Sequence, residues 1–167
     1  MILIGIDPGT ATTGFGVVDK RGSQVVFIDC GVLTTPANMS APARLSMLYT
    51  EFNLLLDTHK PDEVATERLF FNSNTTTAIP VGRALGVILL SLAQRDIPWT
   101  EYTPSQVKNA VVGEGRADKK QVQYMVTRLL SLKEAPWPDD AADALAVALC
   151  HAHTIRPPAP VRRVLRG

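Results

Sequence analysis

The sequence predicts an α/β fold: a five-stranded mixed sheet, three antiparallel strands and then parallel ones, flanked by helices. Three observations predict it. The first third of the chain holds three strand-like runs joined by short turns, which implies an antiparallel start. Two further short strand runs each follow a helical stretch, and a helix-length crossover between strands implies parallel pairing. The stretches between them carry apolar residues at three- and four-residue spacing.

Ile2, Leu3, Ile4 and Ile6 make a first strand that ends on Asp7. Pro8 holds the residue before it in extended geometry, and Gly9 permits a tight turn. Gly14 to Val18 returns as a second strand, Lys20 to Ser23 turns, and Gln24 to Leu33 is the third. Ser40 is a candidate N-cap with Pro42 in the first turn. Leu45, Leu48, Tyr49, Phe52, Leu55 and Leu56 then mark a helix over about 41–59. His59, at its C-terminal end, suits the helix dipole and reads as structural. Pro61 and Asp62 break the chain before a short strand, Glu63 to Thr66, that ends on Glu67.

A polar loop with adjacent Phe70 and Phe71 follows. Two aromatics in a row do not both face inward easily, so one is a candidate to stack on a nucleic-acid base. A second helix runs to about Gln94, and Pro80 forces it either to start there or to kink. Gly82, Ala84 and Gly86 are small enough for close helix packing, including between subunits. A fifth strand ends near Tyr102. Thr103-Pro104 starts a short helix to Val111, and Asp118 caps another over Lys119 to Leu132. After Pro136-Trp137-Pro138, the last helix spans about 139–152.

The 167 residues are 46% hydrophobic and 20% charged, which suits one soluble domain with a real core. We expect that domain over 1–153. No apolar run reaches the ~18 residues of a membrane span, and the opening strand pattern carries no leader signature. Cys30 and Cys150 lack metal spacing and fit a reducing cytoplasm as small buried groups. The net charge of +1 is unevenly spread. Segment 104–133 holds six basic residues against two acids, including Lys108, Arg116, Lys119 and Lys120. The tail 154–167 holds four arginines, three prolines and no acid, a composition that predicts disorder and a DNA-tethering arm. An acidic body with two basic stretches fits a polyanion bound at one face.

The acids complete that reading. Asp7 and Glu67 end adjacent strands. Asp140 and Asp143 lie one turn apart on the last helix, whereas Asp139 reads as a capping acid. Four carboxylates meeting at one sheet edge would repel and raise one another's pKa. Hard divalent cations, Mg²⁺ or Mn²⁺, remove that difficulty. Two of them about 4 Å apart clamp the attacking and leaving oxygens of a phosphodiester, so no covalent nucleophile is needed.

The chain resembles the RuvC family of Holliday junction resolvases, crossover junction endodeoxyribonucleases with the ribonuclease-H-like fold. The resemblance rests on Gly5-Ile-Asp-Pro-Gly with Thr13-Gly-Phe-Gly-Val, on Glu67-Arg-Leu-Phe, on Gln106-Val-Lys through Val112-Gly, on Lys119 through Gln121-Val-Gln, and on Asp140-Ala-Ala-Asp-Ala-Leu-Ala. It covers almost all of 1–153. It implies that Asp7, Glu67, Asp140 and Asp143 are metal-binding catalytic acids, that Lys108 and Lys119 contact phosphate, and that Phe70 stacks on bases near the crossover. Lys120 and Arg116 join them as DNA-binding candidates from the basic stretch. It also implies a homodimer that nicks a four-way junction symmetrically, partnered by the RuvA–RuvB branch-migration complex. Asp139 has no counterpart in the family pattern, and Pro80 departs from it.

Two other readings remain open here. Asp7-Pro-Gly-Thr with Thr13-Gly is also similar to the first phosphate loop of actin, Hsp70 and sugar kinases, which would imply a nucleotide-binding ATPase or kinase lobe. A junction-binding protein without catalysis is the other.

Overall fold

The computed structural model describes residues 1–68 and 75–155. Phe70, Phe71 and the tail beyond Ile155 lie outside the described residues. The elements are β1 (Ile2–Asp7), β2 (Thr12–Arg21), β3 (Gln24–Thr34), α1 (Ala41–His59), β4 (Glu63–Glu67), α2 (Thr75–Ala93), β5 (Trp99–Tyr102), α3 (Pro104–Val112), α4 (Lys119–Leu129) and α5 (Asp139–Thr154). They form the mixed sheet that the sequence predicts, in the order β3-β2-β1-β4-β5. β2 pairs antiparallel with β1 and β3. β4 pairs parallel with β1 and β5.

Two cores lie on opposite faces, and strand alternation assigns residues to each. Ile4, Ile6, Val17 and Val64 pack with Phe52, Leu55 and Leu56 of α1 and Ile88 and Leu92 of α2. Leu3, Val18 and Ala65 face the other way, toward α5 and the helices beyond it. α5 is buried along almost its whole length because it is sandwiched between the sheet and α3 and α4. Its alanines let it approach closely, and glycines on the sheet let it approach closer still. A Cβ on Gly5 would lie 2.1 Å from the Ala144 carbonyl oxygen and 2.4 Å from the Ala148 nitrogen.

Helix starts follow the local signals. Thr103 and Asp118 each accept a hydrogen bond from the backbone N–H three residues on, and Gln106 and Gln121 reach back to complete capping boxes. Ser40 is the N-cap residue of α1 but makes no side-chain cap. At the far end of α1, His59 Nε2 lies 3.2 Å from Asp29 Oδ2 and fastens the helix to β3. α2 departs from expectation, beginning at Thr75 and running through Pro80. The proline is the sixth residue of the helix, so its missing N–H forgoes one interior bond, to the residue four back. α4 ends at Leu129, three residues early, and Ser131 turns the chain with φ +53°. Cys150 is buried as expected, whereas Cys30 is only partly so.

Because the obstacles above Gly5 are backbone atoms, no rotamer change can relieve them. Gly5→Ala is expected to destabilise the protein by about 3 kcal/mol, seen as a lower melting temperature. An unchanged melting temperature would show that α5 tolerates displacement.

Candidate active site

Alternation and register bring the first two acids together. Leu3, Gly5 and Asp7 share one face of β1, and Glu63, Ala65 and Glu67 share the same face of β4. Both are the face that α5 covers. The parallel register pairs Ile6 with Thr66, so Asp7 and Glu67 end neighbouring strands side by side. On its other flank Asp7 pairs with Gly14. A Cβ on Gly14 would lie 2.1 Å from the Asp140 carbonyl oxygen, so the first turn of α5 rests directly over Asp7's neighbour. Asp143 follows one turn later.

The electrostatics show the crowding. The Asp7 carboxyl is pushed up to about 7, first by burial and then by the charges of Asp143, Glu67 and Asp140, with Lys119 opposing. Glu67 is also raised, by burial and by Asp143, with Lys108 opposing. Lys119 Nζ stands 3.0 Å from Asp143 Oδ2 and 3.3 Å from Asp139 Oδ2. These acids, Asp143 foremost, raise its pKa. An open cleft of about 240 Å³ is lined by Glu67, Asp143, Lys108 and Lys119, with apolar Val107 and Val122 beside them. Lys120 and Arg116 are exposed nearby on α4 and the turn before it. Neither forms an ion pair among the described residues.

Asp139 does not cap α5. The N-cap residue is Pro138, and no side chain caps this end. Asp139 lies already inside the helix and turns toward α4, where its Oδ1 accepts a hydrogen bond from Gln123 Nε2 at 2.9 Å. Gln123 and this second hold on Lys119 are not foreseen from sequence, because they depend on how α4 lies beside α5. The same is true of a buried cluster at the far end of α5. There fully buried His151 places Nδ1 2.9 Å from the Tyr102 hydroxyl and Nε2 3.1 Å from Glu63 Oε2.

Mg²⁺ or Mn²⁺ suits this donor set, since all four acids offer carboxylate oxygens. The set is gathered rather than closed. Among the described residues, no group of three or more His, Cys, Asp or Glu side chains could hold a metal ion as it stands.

The family described as "Crossover junction endodeoxyribonuclease RuvC" matches residues 3–151. The chain belongs to the RuvC family. A crossover junction endodeoxyribonuclease RuvC of Desulfitobacterium hafniense is 54% identical over 155 residues, 93% of this chain and 94% of that protein. One of Syntrophomonas wolfei is 53% identical over 156 residues, 93% of this chain and 91% of that protein. A structure of Thermus thermophilus RuvC in complex with Holliday junction substrate has a TM-score of 0.86 and 38% identity, covering 91% of this chain and 93% of that chain. The RuvC family is one of metal-dependent nucleases. Family membership over this span decides against a kinase or ATPase lobe. No helix among the described residues is long and apolar enough to cross a membrane.

The raised Asp7 pKa has a thermodynamic consequence. Between the ordinary carboxylate range near pH 3.8 and about pH 7, the folded protein holds a proton on Asp7 that the unfolded chain has lost. Stability of the metal-free protein therefore falls as pH rises through that window. Asp7→Asn removes the penalty. In chelator at pH 8 the variant should melt roughly 5 °C above wild type, with the gain shrinking toward pH 4.5. Millimolar Mg²⁺ or Mn²⁺ should then raise the wild type more than the variant. Equal melting at pH 8 would mean that Asp7 is not strained by its neighbours.

Proposed function

We propose that this RuvC-family chain is a structure-selective endonuclease that resolves four-way DNA junctions by metal-dependent phosphodiester hydrolysis. The observation that carries the reading is the meeting of Asp7, Glu67, Asp140 and Asp143, from three separate elements, at one edge of a sheet that Lys108 and Lys119 border. A non-catalytic binder gains nothing from carboxylates set among phosphate-binding lysines, because they repel the ligand. The Thermus RuvC captured with a Holliday junction substrate supports the same substrate here.

Asp7, Glu67, Asp140 and Asp143 would hold the metal, Mg²⁺ or Mn²⁺, with two ions per site. Such ions supply Lewis acidity toward the phosphate and lower the pKa of attacking water. The chain's own residues do the rest. Asp7, whose carboxyl is pushed up to about 7 without metal, would hold the ion as the carboxylate, its proton passing to solvent. Lys119 exchanges the Asp143 carboxylate for a phosphate oxygen while Asp139 keeps hold of its ammonium. Lys108 neutralises the negative charge that gathers at Glu67 and the phosphate. Exposed Lys120 and Arg116 extend the phosphate track, and Phe70, outside the described residues, is the proposed base-stacking aromatic. The domain is assigned to residues 1–153, with the basic tail 154–167 as a DNA-tethering arm.

Two symmetric nicks require two such sites, so we assign a homodimer. The exposed face of α2 supports it. Ile79 and Leu90 are 60% and 52% exposed, and between them Gly82 and Gly86 have open space where a Cβ would stand. A RuvA–RuvB branch-migration complex is the partner that the family resemblance implies.

A synthetic four-way junction and a linear duplex, each with Mg²⁺, with Mn²⁺ and with chelator, test the reading. Only the junction with metal should be nicked. Asp7→Asn should reduce nicking roughly 10³-fold, about 4 kcal/mol at the barrier, while junction binding persists. Wild-type nicking by that variant would refute the assignment. Lys120→Ala should weaken junction binding at every sequence and lower the slope of log affinity against log salt by about one. An unchanged slope would remove Lys120 from the phosphate track.

A further inference from the structure

Trp137 is the most exposed of the large hydrophobic residues described, at 83%. Other exposed aromatics have partners. Tyr124, 59% exposed, lies under the Arg128 guanidinium, 5.5 Å from the ring centroid, and Trp99 donates its indole N–H to Thr66 Oγ1 at 3.1 Å. Trp137 has neither a ring nor a cation against it among the described residues. Exposing an indole without a partner forfeits apolar burial that a tryptophan usually obtains.

Its position explains what would cover it. Trp137 precedes the first residue of α5 by two positions, and that residue, Asp139, is tied to Gln123 and Lys119 of α4. Two residues of extended chain span at most ~7 Å, so Trp137 lies within that reach of Asp139, which is itself joined to Lys119 at the N-terminal turn of α4. Successive nucleotides advance ~3.4 Å along a duplex strand. A phosphodiester positioned at the metal that Asp7 and Asp140 would hold therefore brings its next two or three nucleotides within the ~10 Å that three residues of chain span from Asp140 to Trp137. Pro136 and Pro138 flank it and fix their own φ angles, and Pro138 restricts Trp137 as well. The ring is thus presented on a stiff backbone that loses little entropy on contact.

We propose that Trp137 is a DNA-binding residue that stacks on an unpaired or unstacked nucleobase of the four-way junction, beside the cleaved phosphate. Its chemistry fits that ligand. An indole stacks on any base, and Lys119 and Lys120 on the neighbouring turn of α4 supply charge for the adjoining backbone phosphates. Crossover strands offer unstacked bases that a continuous duplex does not, so the contact favours junctions over linear DNA. The inference rests on the junction-cleaving reading above.

The chain's two tryptophans make the test direct. Trp99→Phe leaves Trp137 as the sole indole, and its emission can be followed as a four-way junction is titrated in chelator, with binding read in parallel by gel shift. Saturable quenching at the gel-shift concentration, with protection from iodide, is expected. Linear duplex should give little of either. Trp137→Ala should bind the junction about tenfold more weakly with its melting temperature unchanged, and Trp137→Phe should restore most of the loss. Normal gel shift with unaltered emission and iodide access would overturn the stacking role alone. So would full junction affinity in Trp137→Ala, or quenching by a protein partner but not by DNA. Absence of any junction binding by the wild type would overturn the stacking role and the junction-cleaving reading together.

Discussion

The whole arrangement depends on α5 lying against bare backbone. Gly5, Gly14 and Gly16 offer no side chain where the helix crosses β1 and β2, and a Cβ on any of them would meet α5 at 2.7 Å or less. Contact that close fixes the helix along its axis as well as its distance from the sheet. It therefore sets where the first turn of α5 ends up relative to the end of β1. Asp140 reaches the neighbourhood of Asp7 because its own carbonyl sits over Gly14. Packing and site geometry are here one constraint, and Ala144, Leu145 and Ala148 do as much to place the acids as the acids' own neighbours do.

That placement costs electrostatic energy, and the protein offsets it only in part. Asp7 answers its burial first, and then the repulsion, by keeping a proton to about pH 7, and Asp143 pairs with Lys119. Strain of this kind at a functional site is tolerable because the rest of the fold over-determines it. Two separate cores, one on each face of the sheet, supply that excess. A site so arranged gains stability when positive charge arrives, and binding and chemistry then draw on the same repulsion.

Much of this was legible in the sequence. Apolar runs rich in β-branched residues and short turns located the three antiparallel strands, and Thr103, Pro104 and Asp118 marked their helices because capping chemistry is local. The strand ends at Asp7 and Glu67 put both carboxylates at one edge of the sheet, although only the structure shows that they share the face α5 covers. What the sequence could not convey was contact between elements. Asp139 looks like a cap because acids near helix starts usually are, yet α4 lies alongside and draws it to Gln123 and Lys119. His151, Glu63 and Tyr102 meet only because α5 runs the full depth of the sheet. At Pro80 the local rule predicted a start or a kink, yet the helix begins five residues earlier, at Thr75, and forgoes one interior bond.

Lys119 shows how these layers combine. Its ammonium touches two carboxylates of different standing: Asp143, whose charge weighs on Asp7 and Glu67, and Asp139, which faces away toward Gln123. A lysine held only by Asp143 would swing free once that acid found another cation, and would then pay the full entropy of a long side chain to reach a phosphate. Held also by Asp139, it stays at the rim with one donor committed and others available. The extra acid beside the conventional pair thus makes physical sense as the anchor of a cation that, in the proposed function, changes partners without leaving the site.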